Sequence, residues 1–179
     1  IVALAEKYGA RVMVDDAHGF GVLGPGGRGT AAHFGLQDKV DITMLTFSKS
    51  LASIGGCMLS SKKVYDYVAH SSRPFIFSAS ITPCGAATAL AALQQLEKDP
   101  ERPERLMRIA QYFRTQLLDA GVNLIEAPTP SVPIFTYKTL DTLWYGKALC
   151  DAGVYVSPVI ARACVEGECL LRTTLMATH

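Results

Sequence analysis

The chain has almost no excess of either charge, a net +1. Its 179 residues carry 17 lysines and arginines against 16 aspartates and glutamates. So even a balance argues against nucleic acid or an anionic membrane as the main partner. No apolar run reaches about 18 residues, so no transmembrane helix is expected. No signal-peptide pattern opens the chain. Its five cysteines include no CxxC pair, and its four histidines do not cluster. Cys164 and Cys169 lie five apart, and no metal site is expected from them. Free thiols in a reducing cytosol, hence a cytoplasmic protein, are the reading. An initiating methionine is also missing. Ile1 opens "IVALAEKYGA", which reads as the end of an amphipathic helix entering a strand, so a fragment of a longer protein is expected.

Apolar residues are plentiful instead. Hydrophobic types make up 49% of the chain and charged types 18%. That supports a sizeable core, with part of the surface covered by something else. "AEKYGARVMVDDAH" reads as a helix, a stop at Gly9 and a buried strand from Arg11 to Asp15. "VDITMLTF" and "GGCMLSS" read as two more strands. Continuous apolar strands of this kind suggest a parallel or mixed α/β sheet covered on both faces. "VYDYVAHSSR" and "TPCGAATALAALQQLEKD" read as helices, the second with Pro83 near its start. "DPERPERL" is the best boundary, giving domains 1–103 and 104–179. Beyond it, "LMRIAQYFRTQLLDAG" reads as a helix closed by Gly121. Short strands follow in "NLIEA", "VPIFTY", "VYVSPVI" and "ECLLRTTLMA", with a helix near "LDTLWYGKALCDAG". The second part therefore resembles a small α+β domain.

The chemistry centres on "TFSKSLASIGG", residues 46–56. Lys49 follows a buried strand and precedes Gly55 and Gly56, which points it into a crowded pocket. A desolvated lysine loses basicity and becomes a nucleophile toward an aldehyde. Pyridoxal 5′-phosphate (PLP) is the cofactor aldehyde that uses this chemistry. Its pyridine nitrogen needs a carboxylate beside it. "VMVDDAH" ends a strand with Asp15 and Asp16, where an α/β sheet binds ligands. Alternation lets only one of these acids point into a given site. His18 follows and could bond the ring hydroxyl. Thr46 and Ser48 offer hydroxyls to a phosphate. "GPGGRG" lacks the GK[ST] ending of a nucleotide-binding loop, so its glycines are read as permitting tight turns near the site.

Taken together, "VDDAHGFGVLGPGGRG", "TFSKSLASIGG", "RPFIFSAS" and "LLRTTLMATH" resemble the α-oxoamine synthases. These fold-type I PLP enzymes condense an amino acid with an acyl-CoA and release CO₂. The resemblance implies part of the large PLP-binding domain followed by a small carboxyl-terminal domain. It implies that Asp15 pairs with the pyridine nitrogen, Ala17 packs on the ring and His18 bonds the ring oxygen. Lys49 would hold the cofactor covalently, and Thr46 would contact its phosphate. Ser78 matches a phosphate contact supplied by the second subunit, which implies a homodimer with a shared site. Arg172 matches the arginine that holds the substrate carboxylate, a role suited to its fork geometry.

Within the family, the stretches around Lys49 and Arg172 are most similar to the bacterial branch that joins serine to palmitoyl-CoA. The alternatives are the branches using alanine with a pimeloyl thioester and glycine with acetyl-CoA. The serine branch sometimes carries a second arginine where Ile160 stands here, with Arg162 nearby. A different class of reading is a non-catalytic subunit that only dimerises. Such relatives typically lose the lysine, whereas Lys49 is present here with Asp15 and His18.

Overall fold

The computed structural model describes residues 1–179. Short, strongly apolar segments become strands, and they assemble into two separate sheets. The chain divides into two compact units, Ile1–Pro103 and Glu104–His179.

The first unit opens with helix α1 (Val2–Tyr8) and strand β1 (Met13–Asp15). A glycine-rich loop and a single helical turn, α2 (Thr30–His33), lead to β2 (Ile42–Thr46) and β3 (Gly56–Ser60). β1 runs parallel to β2, with Asp15 opposite Met44, and β3 runs antiparallel to β2. The sheet is therefore mixed. At the other end of β1, Asp41 accepts the Val12 N–H at 2.9 Å and pairs with Arg11 at 2.5 Å. The Val12 N–H first, and Arg11 beside it, hold the Asp41 carboxyl below its usual range.

Three helices follow. In α3 (Lys62–Ser71), the Ser61 hydroxyl accepts from the Val64 N–H, and Lys62 pairs with Asp66 one turn on. α4 (Arg73–Phe77) is a short helix inside "RPFIFSAS" that the sequence pattern did not announce. α5 (Pro83–Lys98) starts with Pro83 in its first turn, and its Thr82 cap accepts from the Gly85 N–H at 3.2 Å.

The second unit is built on α6 (Arg102–Asp119) from Glu104 onward, β4 (Ser131–Tyr137), α7 (Thr139–Asp151), β5 (Ser157–Val159) and β6 (Cys169–Thr174). Its antiparallel sheet has β6 between β4 and β5. Helix α7 packs on all three strands. Val132, Thr142, Cys169 and Leu171 are buried. The buried Thr142 hydroxyl lies 2.8 Å from the Lys138 carbonyl and 2.6 Å from the Thr136 hydroxyl, which lies 3.1 Å from the Cys169 carbonyl, so two O–H donors serve this cluster. Arg114 is buried on α6, where it donates to the Thr129 carbonyl at 2.6 Å and to Gln111.

The structure corrects three expectations. First, the strand expected from Arg11 begins at Met13, and "NLIEA" is not a strand; it adds only an isolated bridge between Leu124 and Ile134. Second, the helix expected from Leu106 starts four residues earlier, inside the boundary stretch "DPERPERL". Helix α6 begins at Arg102 within it, and Pro103 is tolerated because the first turn of a helix needs no N–H from that position. Third, the first sheet is not covered on both faces by the chain's own helices. Met13 is 62% exposed and Leu59 52%.

Candidate active site

Parallel pairing sets the geometry of the site. Because Asp15 lies opposite Met44, the end of β1 and the end of β2 at Thr46 share the carboxyl edge of the first sheet. Three predicted residues collect there. Asp15 is exposed, and its Oδ1 accepts the Ala17 N–H at 3.1 Å. Thr46 closes β2. Lys49 lies three residues further on, and its Nζ reaches the Thr46 Oγ1 at 3.5 Å.

The loop that carries Lys49 is held by its own backbone. Phe47 donates its N–H to the Gly55 carbonyl at 2.9 Å, and Ser53 donates its N–H to the Phe47 carbonyl at 2.8 Å. Ala52 N–H bonds the Lys49 carbonyl, with Ala52 itself at φ +49°. The Ser53 hydroxyl ties the loop to the first turn of α5, donating to the Gly85 carbonyl at 2.7 Å. Lys49 is therefore presented on a closed loop past the strand end, a position no regular element imposes.

The two adjacent acids have opposite environments. Asp16 is 2% exposed. Its Oδ2 accepts the Thr30 N–H at 2.8 Å and its Oδ1 the Thr30 hydroxyl at 2.5 Å. Asp16 is thus committed to the fold, and Asp15 is the acid that faces outward. Ala17 is buried, and His18 is exposed on the turn that follows.

The other predicted residues are placed less closely. Ser48 and Ser78 are exposed, Ser78 just past α4. Neither forms a hydrogen bond with Lys49 or Asp15. In the second unit, Arg172 lies on β6 between Pro133 and Ser157. Cys169, Leu171 and Thr173 are buried while Arg172 is exposed, so strand alternation turns it away from that unit's core. Arg162 is also exposed, at φ +88°.

One site expectation is corrected. Lys49 is exposed, not enclosed in a crowded apolar pocket. It sits beyond the last paired residue of β2, where neither neighbouring strand extends far enough to cover it. Sequence reasoning also missed Thr30, Ser50 and Ser53. They lie 14 or more residues from the groups they touch, or act through backbone, and no spacing rule flags such contacts.

A serine palmitoyltransferase of Sphingobacterium spiritivorum is 47% identical over 179 residues, covering all of this chain and 45% of that protein. An 8-amino-7-oxononanoate synthase of Bacillus subtilis is 40% identical over 179 residues, covering all of this chain and 46% of that protein. Both are α-oxoamine synthases. A solved structure of SPT with PLP internal aldimine superposes with a TM-score of 0.93 at 35% identity, over 99% of this chain and 45% of that one. The chain therefore spans a little under half the length of these relatives, and its fold is part of the fold-type I transferase architecture. The family described as Aminotransferase class I and II matches residues 1–179, and the chain belongs to it.

Proposed function

We propose that the whole protein is a PLP-dependent enzyme that condenses an amino acid with an acyl-CoA, releasing CoA and CO₂. Serine and palmitoyl-CoA are the proposed substrates, giving 3-ketosphinganine. The observation that carries the reaction type is the amine of Lys49, the carboxylate of Asp15 and the hydroxyl of Thr46 on one sheet edge. That donor set fits PLP, which asks for an amine, an anion for its ring nitrogen and hydroxyls for its phosphate. The substrate choice rests on greater similarity to the serine palmitoyltransferase than to the 8-amino-7-oxononanoate synthase, 47% against 40% over 179 residues each.

When bound, PLP supplies an electron sink for the electron pair left at the amino-acid Cα. Lys49 would hold the cofactor through Nζ and later take the Cα proton on the same nitrogen. Asp15 would accept a hydrogen bond from the protonated ring nitrogen on its exposed carboxylate, with Ala17 against the ring and His18 bonding the ring oxygen. Thr46 and Ser48 would donate to the phosphate, joined by Ser78 from a second copy, so the working unit is a homodimer. Arg172 would clamp the substrate carboxylate with its planar fork. The domains are read as the carboxyl-terminal part of the large domain, 1–103, and the small domain, 104–179. A cytoplasmic location is proposed on the five free cysteines.

A second reading, alanine with a pimeloyl thioester, is favoured by the 40% identity to the 8-amino-7-oxononanoate synthase. Glycine with acetyl-CoA is the third. CoA release measured with serine, alanine and glycine against palmitoyl-, pimeloyl- and acetyl-CoA separates them. Each methylene buried in an acyl groove is worth about 0.8 kcal/mol, so shortening the donor by two carbons should cost roughly tenfold. Best turnover with alanine and pimeloyl-CoA would overturn the serine assignment.

A further inference from the structure

Asp16 has no role in the reaction as read above, yet it is the most buried acid at the site edge. Its backbone is pinned on both sides. The Asp16 N–H donates to the Met44 carbonyl of β2 at 2.9 Å, and its carbonyl accepts from Gly19 and Phe20. The tight turn carrying Ala17 and His18 therefore hangs from Asp16. Its carboxylate reaches across to the far end of the glycine-rich loop, where Thr30 satisfies both oxygens.

The two glycines around this carboxylate leave it room. A Cβ on Gly29, which sits at φ +96°, would fall within 3.0 Å of Asp16 Oδ2. A Cβ on Gly19 would collide with Asp16 Oδ1 and with the Thr30 hydroxyl. Both ends of the loop are thus packed on one acid, with only a hydrogen's width to spare. The middle of the same loop meets the lysine loop. A Cβ on Gly21 would lie 2.5 Å from the Ser50 Cβ, so Gly21 rests directly on the residue after Lys49. Gly21 is itself fixed within the loop by its N–H to the Gly27 carbonyl at 2.7 Å.

We infer that Asp16 is a positioning residue. Its buried carboxylate, held by Thr30, locks the 19–29 loop, and that loop sets where Lys49 stands through Gly21 and Ser50. The inference rests on the PLP reading for its catalytic meaning, but the mechanical link from Asp16 to the Lys49 loop does not.

Two variants on the whole protein test it. Thr30→Ser keeps the hydroxyl and should behave as the native protein. Thr30→Val keeps the shape and removes the donor to Asp16 Oδ1. In the cofactor-free protein, hydrogen exchange should quicken in residues 19–30 and in residues 47–53 together for Thr30→Val and in neither for Thr30→Ser. In the loaded protein, Thr30→Val should weaken the long-wavelength absorption of the lysine-bound cofactor. It should also lower kcat at least tenfold, with KM for the amino acid within about twofold. Gly21→Ala, which presses on Ser50 without touching Asp16, should give the same spectral loss. Faster exchange confined to residues 19–30, with 47–53 and the spectrum unchanged, would overturn the inference. A native protein that takes up no PLP at all would instead sink the functional reading, and the exchange result would still decide the mechanical link.

Discussion

Replacing Asp15 by asparagine should damage the chemistry and leave the fold alone. The side chain is exposed, and its one hydrogen bond, from the Ala17 N–H at 3.1 Å, ends on an oxygen that asparagine also offers. The change in stability should stay within about 0.5 kcal/mol, as for other surface substitutions. The lost charge is a different matter. A carboxylate at hydrogen-bond distance, roughly 2.8 Å, from a protonated ring nitrogen interacts by about 6 kcal/mol at an effective dielectric of about 20. That is a ceiling of about 10⁴-fold in rate. A loss of about 10³-fold requires about 4 kcal/mol and fits beneath it. The assay is CoA release by the whole protein, with a thermal melt on the same sample. The cofactor should still bind in the variant. A near-native rate for Asp15→Asn would refute the assignment, as would a large fall in melting temperature. An inactive Asp16→Asn beside an active Asp15→Asn would exchange the two roles.

Lys49→Ala should abolish the long-wavelength cofactor absorption, and borohydride reduction of the native protein should label Lys49; a label on Lys62 or Lys63 would contradict this. Val132→Ala removes two methyl groups from a site with no solvent exposure and should cost about 2 kcal/mol in denaturant unfolding. The stabilising contribution of Asp41 should follow its lowered carboxyl pKa. Present above the ordinary carboxylate value, it should disappear as pH falls through the lowered one. The stability gap between native protein and Asp41→Asn should therefore close in acid, and a gap constant from neutral to acid pH would argue against it. Arg172→Lys should raise KM for the amino acid more than it lowers kcat, because a lysine holds a carboxylate through one point rather than a fork; unchanged kinetics would remove Arg172 from the site.

The local layout was legible from residue order. An apolar β-branched run announced β2, a short apolar run after two glycines announced β3, and a Thr–Pro start announced α5, because these signals act within a few residues. The succession Asp15, His18, Lys49 was enough to suggest PLP chemistry, since few cofactors ask for an acid and an amine at successive strand ends. Alternation alone could say that Asp15 and Asp16 diverge, not which of them turns inward. Thr30 settled that, from 14 residues away, by meeting Asp16 with both its N–H and its hydroxyl. The helix expected from Leu106 takes in Pro103 and starts at Arg102, because a first-turn N–H has no partner to lose. "NLIEA" has the composition of a strand, but only Leu124 finds a bridge partner, and a strand exists only where a neighbour pairs with it. The exposure of Lys49 likewise followed from how far β1 and β3 extend beside β2, a property of pairing register and not of the lysine's own neighbours in the chain.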